Sequence, residues 1–502
     1  MKIVNVSEGP IYLDDIGFLL PYTGNYEAIE VPDLKAIRSN TLRYCIAGDY
    51  VIDASKGYPS EDKIKSVKEK FRSRLQEMES QTSRYDKLKA SFVDERRPNL
   101  PRQNERPKAL VGIPESKEAK KEFDEDGKIS VVWTGPTMDF GGYARMNRKF
   151  MFGLSEKGIN LRYDIQESVN DVEPKTRERL VSLSTKRVPV DAPKIYGMTA
   201  PLIYDWSRYK MLFTMMETRR LHPGYVERCN CADEVVVPSR WCKEVFLESG
   251  VRKPLSVVPL GVDTDIYHPD VEPISFSKNL KPFVFLSVFG WSLRKGYDVL
   301  LKSYLEEFTG DEPVSLLISS RYFGSTHESK KKFIREDIAR VSSMVSNPNK
   351  PHVCLFGDIL SDTMMPRLYA AADCYVLITR GEGFGLPPAE AGACRLPVIC
   401  SRYSGQTDFL DDTNSYLVDV DGFQSVKDDL SKISYFYQDA EFPIFGPKAV
   451  EQTRHLMRHV YEHPEEAQKK ADLLYDRVTK EYNWDNCINA MRDKLKCTFE
   501  NL

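Results

Sequence analysis

The sequence predicts an α/β protein built from two parallel-sheet halves behind an N-terminal extension, and three observations lead there. From Lys128 onwards, short apolar runs alternate with helix-like segments, the order expected of parallel strands covered by crossover helices. The alternation pauses at polar turn residues from Thr264 to Lys281 and then restarts, so there are two such halves. The third is a strand-turn-helix segment in which the run Cys374-Tyr375-Val376-Leu377-Ile378 leads through a glycine-rich turn to Pro387-Pro388. An apolar run of that length reads as a buried parallel strand.

Residues 1–55 carry short apolar runs separated by turn residues: Ile11-Tyr12-Leu13, Gly17-Phe18-Leu19-Leu20-Pro21 and Ala28-Ile29-Glu30-Val31. They read as a small β module, and their cadence resembles short modules at the start of phage-encoded proteins. Residues 56–127 read as a charged helix and a linker. Ile64, Phe71, Met78, Tyr85 and Phe92 recur every seven residues, and Arg74 and Gln81 interrupt the adjoining seam. A helix packed on its own protein and a homo-oligomer through the 60–95 helix both fit that pattern. Pro98 to Lys121 is polar and proline-rich.

The first half, residues 128–270, has strand-like runs at Ile129–Trp133, Met211–Met215, Glu234–Pro238 and Leu255–Val258. Asp139-Phe140-Gly141-Gly142-Tyr143 opens a helix that ends at Gly158. The second half, residues 271–480, has runs at 283–288, 314–319, 352–356, 374–378 and 397–400. Residues 481–502 form a closing helix, expected to cross back to the first half.

The segment Arg380 to Ala391 carries the candidate chemistry. Glycines 381, 383 and 385 let a backbone approach a ligand closely, and proline suits a first helical position. Unpaired N–H groups at a helix start attract an anion such as phosphate. Glu382 then falls in the loop beside the phosphate and Glu390 about one turn into the helix. Ionised carboxylates accept hydrogen bonds from pairs of sugar hydroxyls. Taken alone, the two glutamates fit a solvated loop residue and a helix-dipole complement equally well.

This segment resembles the Glu-seven-residues-Glu signature of the family-4 retaining glycosyltransferases, which have the GT-B fold of two Rossmann-like domains facing a cleft. The resemblance extends to Leu396–Cys400, Ser404–Phe409, Val257–Pro269 and Arg294-Lys295-Gly296, and covers roughly residues 128 to 500. It implies that Glu382 contacts the donor sugar's hydroxyls and Glu390 the nucleoside ribose. Gly383, Phe384, Gly385 and Leu386 would lie along the sugar and phosphate, with backbone N–H donors from the last three. Arg294 and Lys295 would neutralise the departing diphosphate. They stand side by side here, whereas the family spaces its two basic residues further apart. Gly141 and Gly142 resemble the first domain's glycine loop, and Phe356 ends the strand where the family holds the nucleobase. Glu217 and His222, after a first-domain strand, are candidates for facing the acceptor.

The donor implied is a UDP- or GDP-linked sugar, with no other cofactor. Asp263-Thr264-Asp265 lies in the segment linking the halves, so no metal is assigned to it. Retention of configuration follows from the family, as does a same-face substitution in which the donor phosphate takes the acceptor's proton. The acceptor stays open among glycan, lipid-linked sugar, protein and modified DNA base. A sugar-nucleotide epimerase, a phosphorylase and a non-catalytic adaptor are the rival classes. Residues 1–127 are expected to affect acceptor choice, assembly or location rather than donor chemistry. Glu390→Ala is expected to weaken donor binding by about an order of magnitude or more while leaving the melting temperature nearly unchanged, from hydrogen bonds worth roughly 1.5–3 kcal/mol.

Composition bears on location and partners. The 71 basic and 74 acidic residues nearly cancel, so no whole-chain field draws nucleic acid or an anionic membrane. The ten cysteines lack a zinc-like pairing and read as reduced core thiols. Met1 to Glu8 lacks a signal-peptide core and no run approaches a membrane span, so a cytoplasmic enzyme is expected.

Overall fold

The computed structural model describes residues 129–499 except 139–140, 166–171, 202, 204–206, 277–279, 322–326, 358–359, 427–434 and 438–439, together with five strands before residue 129. The chain divides into two compact units, Met1–Glu122 with Gln166–Val169, and Phe123–Ile165 with Asn170–Leu502.

The first unit holds β1 (Lys2–Asn5), β2 (Ile11–Leu13), β3 (Phe18–Leu20), β4 (Ala28–Glu30) and β5 (Val51–Asp53). β1 pairs antiparallel with β4 and β5, setting Ile3 opposite both Ile29 and Asp53, while β2 pairs with β3. Three of the five strands fall on the apolar runs named above. The seven-residue repeat from Ile64 to Phe92 and the proline-rich linker lie outside the described residues.

The second unit contains both predicted halves. Its first sheet comprises β6 (Ser130–Thr134), β7 (Asn160–Asp164), β8 (Lys194–Gly197), β9 (Lys210–Phe213), β10 (Glu234–Val237) and β11 (Leu255–Val257). The spatial order is β11-β10-β9-β8-β6-β7, all parallel. The second sheet comprises β12 (Phe283–Gly290), β13 (Val314–Arg321), β14 (His352–Phe356), β15 (Cys374–Leu377), β16 (Val398–Ser401) and β17 (Tyr416–Val418). Its order is β14-β13-β12-β15-β16-β17, again all parallel.

Strand order reverses between β6 and β8 in the first sheet and between β12 and β15 in the second. At such a switch point neighbouring loops diverge to opposite faces and leave a crevice at the strands' carboxyl ends, where ligands bind in this class of sheet. The loops leaving β12 and β15 are those carrying Arg294-Lys295 and Glu382.

Sequence runs located the buried central strands but missed β7, β8 and β17. β7 reads Asn-Leu-Arg-Tyr-Asp and buries only alternate residues at the sheet edge, so its polar face hides the strand. An antiparallel pair, β18 (Gly422–Ser425) and β19 (Glu441–Ile444), also went unpredicted.

Among the described residues four helices cover the first half: α1 (Gly142–Glu156), α2 (Pro174–Ser184), α3 (Pro223–Cys229) and α4 (Arg240–Glu248). The second half carries α5 (Tyr297–Glu307), α6 (His327–Ser343), α7 (Met365–Tyr369), α8 (Leu386–Ala393), α9 (Pro447–Glu462) and α10 (Pro464–Glu481). The chain crosses back at Val262, whose N–H donates to the Tyr482 carbonyl at 2.8 Å. The last helix, α11 (Trp484–Phe499), then packs on α1, with Trp484 edge-on to Phe150 at 5.4 Å. An ion pair joins Lys494 to the buried Glu234 of β10. None of the described cysteines is disulfide-bonded, and no described helix is long and apolar enough to cross a membrane.

Candidate active site

The loop after β12 turns through a short 3-10 segment, Leu293–Lys295, and ends at Gly296 before α5 begins. It lies against the loop after β15, and the two are bound together by both backbone and side-chain hydrogen bonds. Arg380 N–H donates to the Arg294 carbonyl at 2.6 Å, and Arg294 Nη1 returns a bond to the Gly381 carbonyl at 2.5 Å. The Arg380 guanidinium grips Asp298, in the first turn of α5, with two bonds of 2.8 Å. It also donates to the Leu293 carbonyl at 2.6 Å.

Within that frame Lys295 Nζ donates to Glu382 Oε1 at 2.5 Å, and Thr379 Oγ1 donates to the same oxygen at 3.0 Å. Arg294 stands 3.8 Å from Glu382 and 3.6 Å from Glu217. Burial raises the Glu382 pKa, but the charges of Lys295 and Arg294 and the bonds from Lys295 and Thr379 outweigh it, so the carboxyl is held below its ordinary range. The carboxylate is therefore ionised at neutral pH, facing two cations. Ser404 fixes its backbone: the hydroxyl accepts the Glu382 N–H at 2.9 Å, and Ser404 adopts φ 74°, rare for a residue with a side chain.

Glu390 lies in α8 and is 3% exposed. Arg145 Nη1 donates to Oε1 at 2.6 Å and the Tyr369 hydroxyl to Oε2 at 2.8 Å. Arg145 Nη2 also donates to the Tyr267 hydroxyl at 3.1 Å. This burial corrects the expectation of an unchanged melting temperature for Glu390→Ala. That change leaves a part-buried guanidinium and the buried Tyr369 hydroxyl without their acceptor, and unpaired buried groups cost stability. Glu390→Gln keeps an acceptor oxygen for Arg145, turns an amide N–H toward the Tyr369 hydroxyl, which accepts it in place of donating, and removes the charge. It should lose only about 1 kcal/mol of stability while nucleotide affinity by calorimetry falls roughly tenfold. Unaltered nucleotide affinity would remove Glu390 from the ribose.

The glycines of this turn serve a different neighbour from the one expected. A Cβ on Gly381 would meet the Glu217 carbonyl oxygen at 2.0 Å, and one on Gly383 the Met215 side chain at 2.7 Å. Both approach the first half just beyond β9, rather than leaving room for a ligand there. Ser239 Oγ donates to the Gly383 carbonyl at 2.8 Å, so the start of α4 holds the same turn, and Asp408, beyond β16, accepts the Arg240 N–H at 2.8 Å. Gly385 is left-handed, at φ 104°, and caps the start of α8. Pro387 and Pro388 have no N–H, so the donors at this helix start come from Phe384, Gly385 and Leu386. The Phe384 side chain is a core anchor, 5.2 Å from Phe409 and 5.9 Å from Tyr482 between ring centres.

The remaining candidates are spread more widely. Gly141 caps α1 and Gly142 starts it with open space around its α-carbon. Glu217 joins the Arg294 cluster and accepts from the Tyr437 hydroxyl at 2.8 Å. His222 is a helix cap: its Nδ1 accepts the Gly224 N–H at 3.1 Å, which gives it a structural task in α3. Phe356 ends β14, two strands from β12, with its ring edge-on to Phe276 at 5.8 Å. Asp263 is ion-paired with Lys149 of α1.

Sequence reading missed Arg145, Tyr369, Arg380, Asp298 and Ser404. For Arg145 a signal existed: it lies one helical turn beyond the Gly141-Gly142 pair, on the face that a helix start presents to its own loop. Arg380 and Ser404 open segments already singled out, but nothing there marked their partners; Tyr369 and Asp298 had no signal, because each acts on a group distant in the chain.

Comparison with known proteins fits this geometry. Residues 281–434 match the family model of the glycosyl transferases group 1. A probable sucrose-phosphate synthase of Thermosipho melanesiensis is 25% identical over 256 residues, spanning 47% of this chain and 46% of that relative, so the match covers about half of each. Among solved structures, the sucrose-phosphate synthase of Thermosynechococcus elongatus superposes with a TM-score of 0.54 at 15% identity, covering 75% of this chain and 100% of that one. Anabaena HepE, solved with UDP and glucose, gives 0.52 at 12% identity, covering 74% of this chain and all of its own. The fold is GT-B. In GT-B terms the first sheet forms the N-terminal domain and the second the C-terminal domain, and the two basic residues and both glutamates belong to the latter.

Proposed function

We propose that this protein is a retaining, metal-independent glycosyltransferase that moves a sugar from a nucleoside-diphosphate sugar to an acceptor. The observation that carries the proposal is the convergence of Arg294, Lys295 and Glu382 at the β12/β15 switch point, with Glu390 one turn into the adjoining helix. Two cations at the carboxyl end of a parallel sheet suit a diphosphate whose charge grows as the glycosidic bond breaks. Glu382, ionised and clamped, accepts hydrogen bonds from the donor sugar, and Glu390 accepts them from the ribose. Glu217 brings the first domain to the same point as a counter-ion for Arg294. The UDP and glucose bound in the HepE structure make UDP-linked hexoses the first donors to try. The acceptor class is a glycan, lipid-linked sugar, protein or modified DNA base.

Screening UDP- and GDP-sugars for nucleotide release, with mass analysis of candidate acceptors, tests this directly. Slow release without acceptor, accelerated by one acceptor class, is the expected outcome. Conversion of the donor sugar to an isomer would instead mark an epimerase. Turnover should be unchanged after exhaustive chelation, because the charges at the diphosphate come from Arg294 and Lys295. Activity abolished by EDTA and restored by magnesium or manganese would end the metal-independent assignment.

A further inference from the structure

Glu390 has two acceptor oxygens and both are engaged, one by Arg145 and one by Tyr369. A ribose diol reaching this carboxylate therefore has to take the place of one partner. Tyr369 is fully enclosed in the second domain. Arg145 comes from the first domain, and its side chain is 26% exposed. Arg145, Glu390, Tyr267, Asp362 and Leu386 all line one cavity of about 310 Å³ beside α1. That cavity gives the guanidinium space to turn, and Asp362 on its wall offers a second carboxylate. Of the two partners only Arg145 has somewhere to go.

Taking the nucleotide-sugar assignment of the cleft as its basis, we propose that Arg145 competes with the donor's ribose for Glu390. Nucleoside binding then exchanges an ion pair between the two domains for a pair of ribose hydrogen bonds. Arg145 is thus a positioning residue that sets donor affinity and couples ribose recognition to the contact between domains. Apparent affinity is reduced by the fraction of protein whose site is held by a competing partner, and removing that partner restores it.

The test uses the full-length protein and two variants, Arg145→Met and Arg145→Lys. Calorimetry measures UDP and GDP, and the 2′-deoxy counterpart of whichever binds. Arg145→Met should bind the ribonucleotide roughly tenfold more tightly, with a smaller gain for Arg145→Lys, which keeps the charge but loses the forked geometry. The 2′-deoxy nucleotide, lacking one hydroxyl for Glu390, should gain less, so discrimination between the two widens. Weaker or unchanged ribonucleotide binding in both folded variants overturns the competition. An equal gain for the ribo- and deoxynucleotide does so as well, because the effect then does not pass through the ribose. If the unmodified protein binds neither UDP nor GDP, the nucleotide-sugar assignment itself falls, and this proposal with it.

Discussion

Lys295→Met is expected to lower turnover by about two to three orders of magnitude, the cost of removing one preorganised charge from a developing anion. It should also destabilise the protein by about 3–5 kcal/mol, because the substitution leaves Glu382 buried without its closest cation. Arg294 compensates only in part. It stands 3.8 Å from Glu382, while its Nη1 is committed to the Gly381 carbonyl at 2.5 Å. The double variant Lys295→Met/Glu382→Gln removes both charges and should regain most of the lost stability with no return of activity. Denaturant unfolding and nucleotide release separate the two effects, since contacting residues couple in such a cycle. A single variant as stable as the parent would mean that the Lys295–Glu382 pair is solvated. Near-normal turnover by the double variant would take both residues out of the chemistry.

Gly296→Ala is the second large effect, and it is a matter of space rather than charge. Gly296 has φ 69°, and a Cβ there would lie 1.7 Å from the Ile378 carbonyl oxygen at the end of β15. Nothing flexible can yield, because the obstacle is backbone. The strain of a left-handed residue and the forced separation of the two loops together cost roughly 2–5 kcal/mol. The displaced loop carries Arg294 and Lys295, so nucleotide binding should be lost along with stability. Gly142→Ala is the matched control, since no atom lies within 4 Å of a Cβ built at Gly142. Its melting temperature should stay within about 1 °C, corresponding to a few tenths of a kcal/mol. A Gly296→Ala protein that melts with the parent would show that the two loops can separate freely.

How much of this could be seen in the sequence depends on where each signal resides. Buried parallel strands such as Phe283–Gly290 and Cys374–Leu377 announce themselves because both faces are largely covered, so nearly every residue is apolar, Ser287 being the exception. Glycine turns and proline helix starts are equally local, which is why the strand-turn-helix unit around Glu382 and Glu390 was legible. The pair Arg294-Lys295, placed between a strand and a glycine, stood out only through its resemblance to a known basic motif. By contrast the edge strand Asn160–Asp164 shows its polar face, and Tyr369 looks like any core aromatic.

The sequence by itself thus determined the two α/β halves and the strand-turn-helix unit that carries Glu382 and Glu390, since strand burial and turn chemistry depend on neighbours along the chain. Only the tertiary structure decided what those residues touch. It turned Gly381 toward Glu217 and Gly383 toward Met215, gave His222 a helix to cap, and brought Arg145 to Glu390 across 245 positions of chain. Such pairings arise when separate loops and domains pack together. A charge or a close approach between distant segments leaves no periodic trace in the chain, and its energy exists only once the low-dielectric contact has formed.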